Sequence, residues 1–125
     1  MNTSALKAAG FALIITGAVF GGEAAQSSVH PSGEGFLYFC NATTGDDDGD
    51  ARFIRCETFV KETRVALLDT PVHGIRACIP KEISNLKLVF TAIRWLEDNA
   101  IGHSKEADEV LALAFAEVWP CPEGS

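Results

Sequence analysis

Asp46, Asp48 and Asp50 alternate along one stretch of the chain, and Glu57 falls eleven positions after Asp46. Those are positions one, three, five and twelve of a calcium loop of the EF-hand type. Position six, however, is Ala51 where such a loop needs glycine for its sharp turn, and position eight is Phe53. No helix precedes the stretch, and Glu57 falls one turn inside a helix predicted from residue spacing, which turns it away from the aspartates. The stretch therefore reads as a solvated acidic loop leading into a helix N-terminus. Paired carboxylates for hydrolysis are no better placed. Glu97-Asp98 and Asp108-Glu109 are adjacent, so on a helix they point apart by about 100°. No serine sits in a Gly-x-Ser-x-Gly elbow, and there is no Gly-rich phosphate loop. His30, His73 and His103 stand far apart in sequence, and paired Cys-x-x-Cys or Cys/His spacings of a zinc site are missing. The expectation is a protein that is not an enzyme, with no catalytic, cofactor-binding or metal residues. Asn41-Ala42-Thr43 matches a glycosylation acceptor, a tripeptide too common by chance to carry weight.

The remaining candidates for chemistry are Cys40, Cys56, Cys78 and Cys121, and their role depends on compartment. Lys7 precedes an apolar run from Gly10 to Gly22, after which Gly22-Glu23-Ala24 offers small side chains at the two positions a signal peptidase reads. This order of charged, apolar and small residues predicts a secretory signal peptide over residues 1–24. The run is short of the ~20 residues a membrane span needs. In an oxidising compartment, four cysteines in the mature part mean two disulfides. The spacing puts Cys56 at the start of a long helix and Cys78 just after the turn that follows it, while Cys40 and Cys121 lie near the two ends of the folded part. Of the three pairings, these positions favour Cys56–Cys78 with Cys40–Cys121.

The elements that must hold these cysteines are helical. Residues 25–35 are Ser/Gly/Pro-rich and read as a flexible leader, followed by a single domain over residues 36–122. Gly35 to Cys40 is apolar but too short to separate a helical turn from a strand. From Ala51 to Asp69, Phe53, Cys56, Val60 and Leu67 recur at helical spacing beside Phe59 and Ala66, with Asp50 as N-cap and Thr70-Pro71 as the stop. Ser84 caps a second helix to about Asp98, whose predicted stripe is Leu86, Val89, Phe90, Ile93 and Leu96. Ser104 is expected to cap a third, with Ala107, Val110, Leu111, Ala114, Phe115 and Val118 on one face, ended by Trp119-Pro120. None is long enough to stand alone in water, so they must pack together. The predicted fold is all-α, a small disulfide-stapled bundle of about four helices. Trp95 and Trp119 read as core or helix-end residues, with a contact anchor as the alternative.

With 125 residues, 47% of them apolar, the chain suffices for one core. Its net charge of −7 and scattered Lys61, Arg64, Arg76, Lys81, Lys87 and Arg94 argue against nucleic acid or an anionic membrane as partner.

The order of breaks resembles the immunity proteins of the Rap1a/Tai type, which guard the bacterial periplasm against amidases delivered by type VI secretion. The matching pieces are Cys56 opening a helix that runs to Leu68-Asp69, Cys78-Ile79-Pro80, a Leu/Val-rich helix ending Trp95-Leu96-Glu97-Asp98-Asn99-Ala100, His103 with Ala107, and Trp119-Pro120-Cys121. Together they span Cys40 to Cys121. Where that family usually has Gly-Tyr and a later glycine after the second cysteine, this chain has Glu57-Thr58-Phe59. The resemblance implies a helical fold, a periplasmic location, often a homodimer, and occlusion of a peptidoglycan amidase's active-site cleft. Contact residues do not carry over. An alternative resemblance is to periplasmic acid-stress chaperones of the HdeA type, which share a Cys-Glu-x-Phe helix start (here Cys56 to Phe59) and a disulfide from it to a later cysteine.

Overall fold

Ser32 opens the first helix. Its hydroxyl accepts a hydrogen bond from the Gly35 N–H at 3.1 Å, which satisfies one of the donors every helix leaves free at its start. The computed structural model describes residues 31–42 and 47–123. The expected signal peptide lies outside the described residues. The capped helix α1 spans Gly33–Cys40, so the apolar run that could have been a strand is helical, and the helix takes in three residues assigned to the leader. Phe36 and Cys40 face inward from it.

Helix α2 spans Asp47–Asp69 and starts earlier than the spacing predicts. Asp50 is therefore inside the helix and is not its cap. Acidic side chains in a first turn face the positive end of the helix dipole, so the aspartates favour this extension. Cys56, Val60, Thr63 and Leu67 form its buried face at spacings of four, three and four. The helix stops before Pro71 as expected. Val72 and Ile75 then exchange N–H···O=C bonds of 2.9 Å across a two-residue turn, with His73 at φ 51° and Gly74 at φ 76°. An extended segment follows, and the Arg64 guanidinium holds it against α2. Arg64 donates to the carbonyls of Ile83 (2.6 Å), Pro80 (3.0 Å) and Lys81 (3.3 Å), and to Asn85 Oδ1 (3.1 Å).

Helix α3 spans Asn85–Asp98, with Ser84 capping Lys87 N–H at 3.0 Å as predicted. A 3₁₀ helix, Ala100–Ser104, leads to α4, Ala107–Val118. The expected cap Ser104 lies within the 3₁₀ helix, and Glu106 holds the N-cap position with no side-chain cap bond. A remote segment meets this helix start: the Ala107 N–H, free of any intrahelical partner, donates to the Pro31 carbonyl at 2.8 Å, and Gly33 N–H donates to Lys105 O at 2.8 Å. The chain entering α1 thus caps α4 with its own backbone. No strand occurs among the described residues, only the isolated bridges Ser32–Glu106 and Val72–Ile75.

All four helices share one core, in which Phe36, Val60, Leu88, Leu96, Leu111 and Phe115 are fully buried. Gly33 meets Gly102 so closely that a Cβ on Gly33 would collide with the Gly102 carbonyl. The all-α fold is as predicted, but the disulfide pairing is not: the bridges are Cys40–Cys56 and Cys78–Cys121, with Cα–Cα distances of 5.1 and 4.9 Å. Cys56 is not at a helix start. It lies thirteen residues before the end of α2, roughly 20 Å along the axis from the turn beyond, and faces the C-terminus of α1. Cys78 runs beside the segment after α4, where its N–H donates to Trp119 O at 2.8 Å.

Candidate partner-binding surface

Helix α3 carries more apolar side chains than the core uses. Its buried residues are Leu88, Val89, Ala92 and Leu96. Leu86 and Phe90, predicted to lie on the inward stripe, are 44% and 56% exposed. The correction has a simple cause: with apolar residues at so many positions of α3, two stripes compete, and packing against α4 selects the one centred on Leu88 and Ala92.

Phe90 stands at a cleft of about 280 Å³ between α3 and α4. Trp95 and Val118 complete its apolar part, and Lys87, Arg94 and Glu117 lie around it. Trp95 is half-buried and packs on the core, the first of the two readings of this residue, while it also lines the cleft. Its position is set from behind, because a Cβ on Gly102 would lie 2.5 Å from the indole ring. Asn99 Nδ2 donates to the Trp95 carbonyl at 2.8 Å, closing the end of α3. Trp119 instead packs on the core near Phe115, with ring centroids 6.4 Å apart.

A second groove, of about 510 Å³, runs between α1 and α2 along Phe36, Phe39, Ile54 and Phe59. The Arg55 guanidinium lies 5.1 Å from the Phe39 ring centroid at its edge. Further along α2, Val65 and Leu68 are 54% and 75% exposed. Arg52 fixes the α1–α2 end: it donates to Tyr38 O at 3.0 Å, lies over the Tyr38 ring at 4.5 Å, and its Nε is 3.2 Å from Asp48.

The aspartate-rich stretch cannot form a calcium loop, because Asp47 to Asp50 and Glu57 belong to one continuous helix. Asp50 and Glu57, seven residues apart, are separated by about 10 Å of helix rise. Asp46 lies outside the described residues. Of the histidines, His30 also lies outside them, and His103 Nε2 is 3.1 Å from the Leu96 carbonyl. His73 is not alone, however. Its Nε2 lies 2.8 Å from Asp108 Oδ1 and 3.6 Å from Glu106 Oε1. The hydrogen bond to Asp108 raises the His73 pKa above its ordinary value, against a smaller opposing effect of desolvation. Thirty-three and thirty-five residues separate these partners from His73, so no local spacing could have announced the cluster.

This geometry offers apolar clefts with charged residues at their edges. The sequence model of the Rap1a immunity proteins matches residues 32–121, from the cap of α1 through the last cysteine. The chain belongs to the Rap1a immunity proteins. Immunity proteins of this kind bind a secreted toxin and are generally non-enzymatic. Neither a curated protein nor a solved structure matches the chain. The two disulfides and the family are those of a secreted or periplasmic protein.

Proposed function

We propose that this chain neutralises a secreted peptidoglycan amidase in the periplasm, after its signal peptide is removed, by covering the enzyme's active-site cleft. It acts through binding alone, without chemistry of its own. The reading rests on membership of the Rap1a immunity proteins over residues 32–121. The α3–α4 cleft is the contact that best suits it, since an aromatic centre inside a charged rim is the usual anatomy of a protein interface. Phe90, more than half exposed at that cleft, is the anchor.

The chaperone alternative loses one of its supports. It drew on a disulfide from Cys56 to a later cysteine, whereas Cys56 pairs with the earlier Cys40.

The test is capture on the oxidised mature domain from periplasmic extract and culture fluid of the producing bacterium and its relatives. A single stoichiometric cell-wall amidase is the expected catch. The Phe90→Ala variant should bind it about 30-fold more weakly, the equivalent of ~2 kcal/mol for an aromatic anchor. Its melting temperature should stay near that of the wild type. Capture of many unfolded clients at low pH only, or of a different enzyme class, would overturn the reading.

A further inference from the structure

We propose that His73, Glu106 and Asp108 form a binding site for one divalent transition-metal ion of the zinc type. The three residues come from two separate elements. His73 sits in the two-residue turn after α2, and the carboxylates flank the first residue of α4. One ligand atom from each lies within 4.8 Å of the other two.

The distances suit a first-row ion. Zinc binds imidazole nitrogen and carboxylate oxygen at about 2.0–2.2 Å in tetrahedral geometry, which puts donor atoms about 3.4 Å apart. The observed separations from His73 Nε2, 2.8 Å to Asp108 and 3.6 Å to Glu106, bracket that value. Small side-chain rotations close the set. One imidazole with two carboxylates is a donor set for zinc and its neighbours, and less so for calcium or magnesium, which take oxygen alone.

Two further observations favour a cation here. Glu106 occupies the N-cap position of α4 but makes no side-chain cap bond. Its carboxylate is free of the usual duty of a cap and is 64% exposed, able to turn toward His73. A third carboxylate, Glu109, adds to the negative field around the imidazole. The nearest lysine on the same segment, Lys105, is engaged with Glu109 at 3.5 Å. Three protein ligands leave a fourth position open to solvent. A bound ion would also tie the turn after α2 to the start of α4.

The test uses the full mature chain, stripped with a chelator and titrated calorimetrically with zinc chloride near pH 7. One equivalent should bind. His73→Asn and Asp108→Asn should each weaken binding at least tenfold, and Glu106→Gln several-fold. Asparagine is chosen at His73 because it tolerates the left-handed backbone there. His103→Ala and His30→Ala should leave the affinity unchanged. Imidazole nitrogen resonances of the wild type give a readout that needs no variant to fold: zinc should shift His73 alone. Absence of stoichiometric binding, equal affinity in His73→Asn, or a response at His30 or His103 in place of His73 would overturn the site.

Discussion

Replacing Cys40 and Cys56 together by alanine, and separately Cys78 and Cys121 by serine, separates two contributions of a disulfide that usually act together. Loop closure alone ranks the second bridge higher. The sequence separations are 16 and 43, which in the chain-entropy relation correspond to about 3.1 and about 4.0 kcal/mol. Packing reverses the order. Cys40 and Cys56 are 5% and 0% exposed, whereas Cys78 lies at the surface and Cys121 is half-buried. Each buried sulfur removed costs roughly 1 kcal/mol in lost apolar burial, with any residual cavity adding to it. The buried pair should therefore cost about 5 kcal/mol and the surface pair about 4 kcal/mol. Either loss is a large share of the roughly 5–15 kcal/mol that holds a small domain folded. The assay is urea unfolding of both double variants, preceded by non-reducing peptide mapping of the wild type. Mild reductant should open Cys78–Cys121 first, since a thiol can reach it. A linked peptide joining Cys56 to Cys78 would refute the topology. A surface-pair variant less stable than the buried-pair variant would refute the argument from packing.

Gly102→Ala places a Cβ against the Trp95 ring and should destabilise by about 1–3 kcal/mol, read from the thermal midpoint. Gly33→Ala meets the Gly102 backbone, which cannot move aside as a side chain can, and should cost at least as much. Arg64→Lys keeps the charge but not the fork that reaches four acceptors, and should cost about 1–2 kcal/mol in urea unfolding. In chelator-containing buffer, His73 contributes stability that is full below about pH 6.5, its unfolded value, and is lost as pH rises through its raised folded value. With the side chain one-third exposed, the contribution stays below about 1 kcal/mol; melts of wild type and His73→Asn should differ at pH 6 and converge at pH 9.

Where local chemistry decides the backbone, the sequence was readable. Ser84 caps α3, Pro71 stops α2, and Trp119-Pro120 ends α4, each for a reason contained within a few residues. Where the deciding partner is remote, it was not. The start of α4 meets the Pro31 carbonyl, about 75 residues away in sequence, and the expected cap Ser104 lies within the 3₁₀ helix. The disulfides failed for a related reason. Pairing depends on which helix faces which, and the direction of Cys56 around α2, not its order along the chain, brings it to Cys40.

The candidate surface was legible in a less direct way. A helix that only packs a monomer core needs one apolar stripe, and its other faces are free to be polar. Helix α3 has Leu86, Leu88, Val89, Phe90, Ala92, Ile93, Trp95 and Leu96, too many for one stripe. The core takes Leu88, Val89, Ala92 and Leu96, and leaves Phe90 and the outer edge of Trp95 at the cleft. Exposed apolar side chains are ordinary when scattered, but Phe90 and Trp95 at one cleft rimmed by Lys87, Arg94 and Glu117 suit the proposed contact. On the proposed function, the surplus in α3 is the sequence-level trace of the binding surface. By the same logic α2, whose core face is Cys56, Val60, Thr63 and Leu67, carries a second surplus in Ile54, Val65 and Leu68. Polar substitution at these exposed positions should leave stability near the wild-type value while changing what the protein holds.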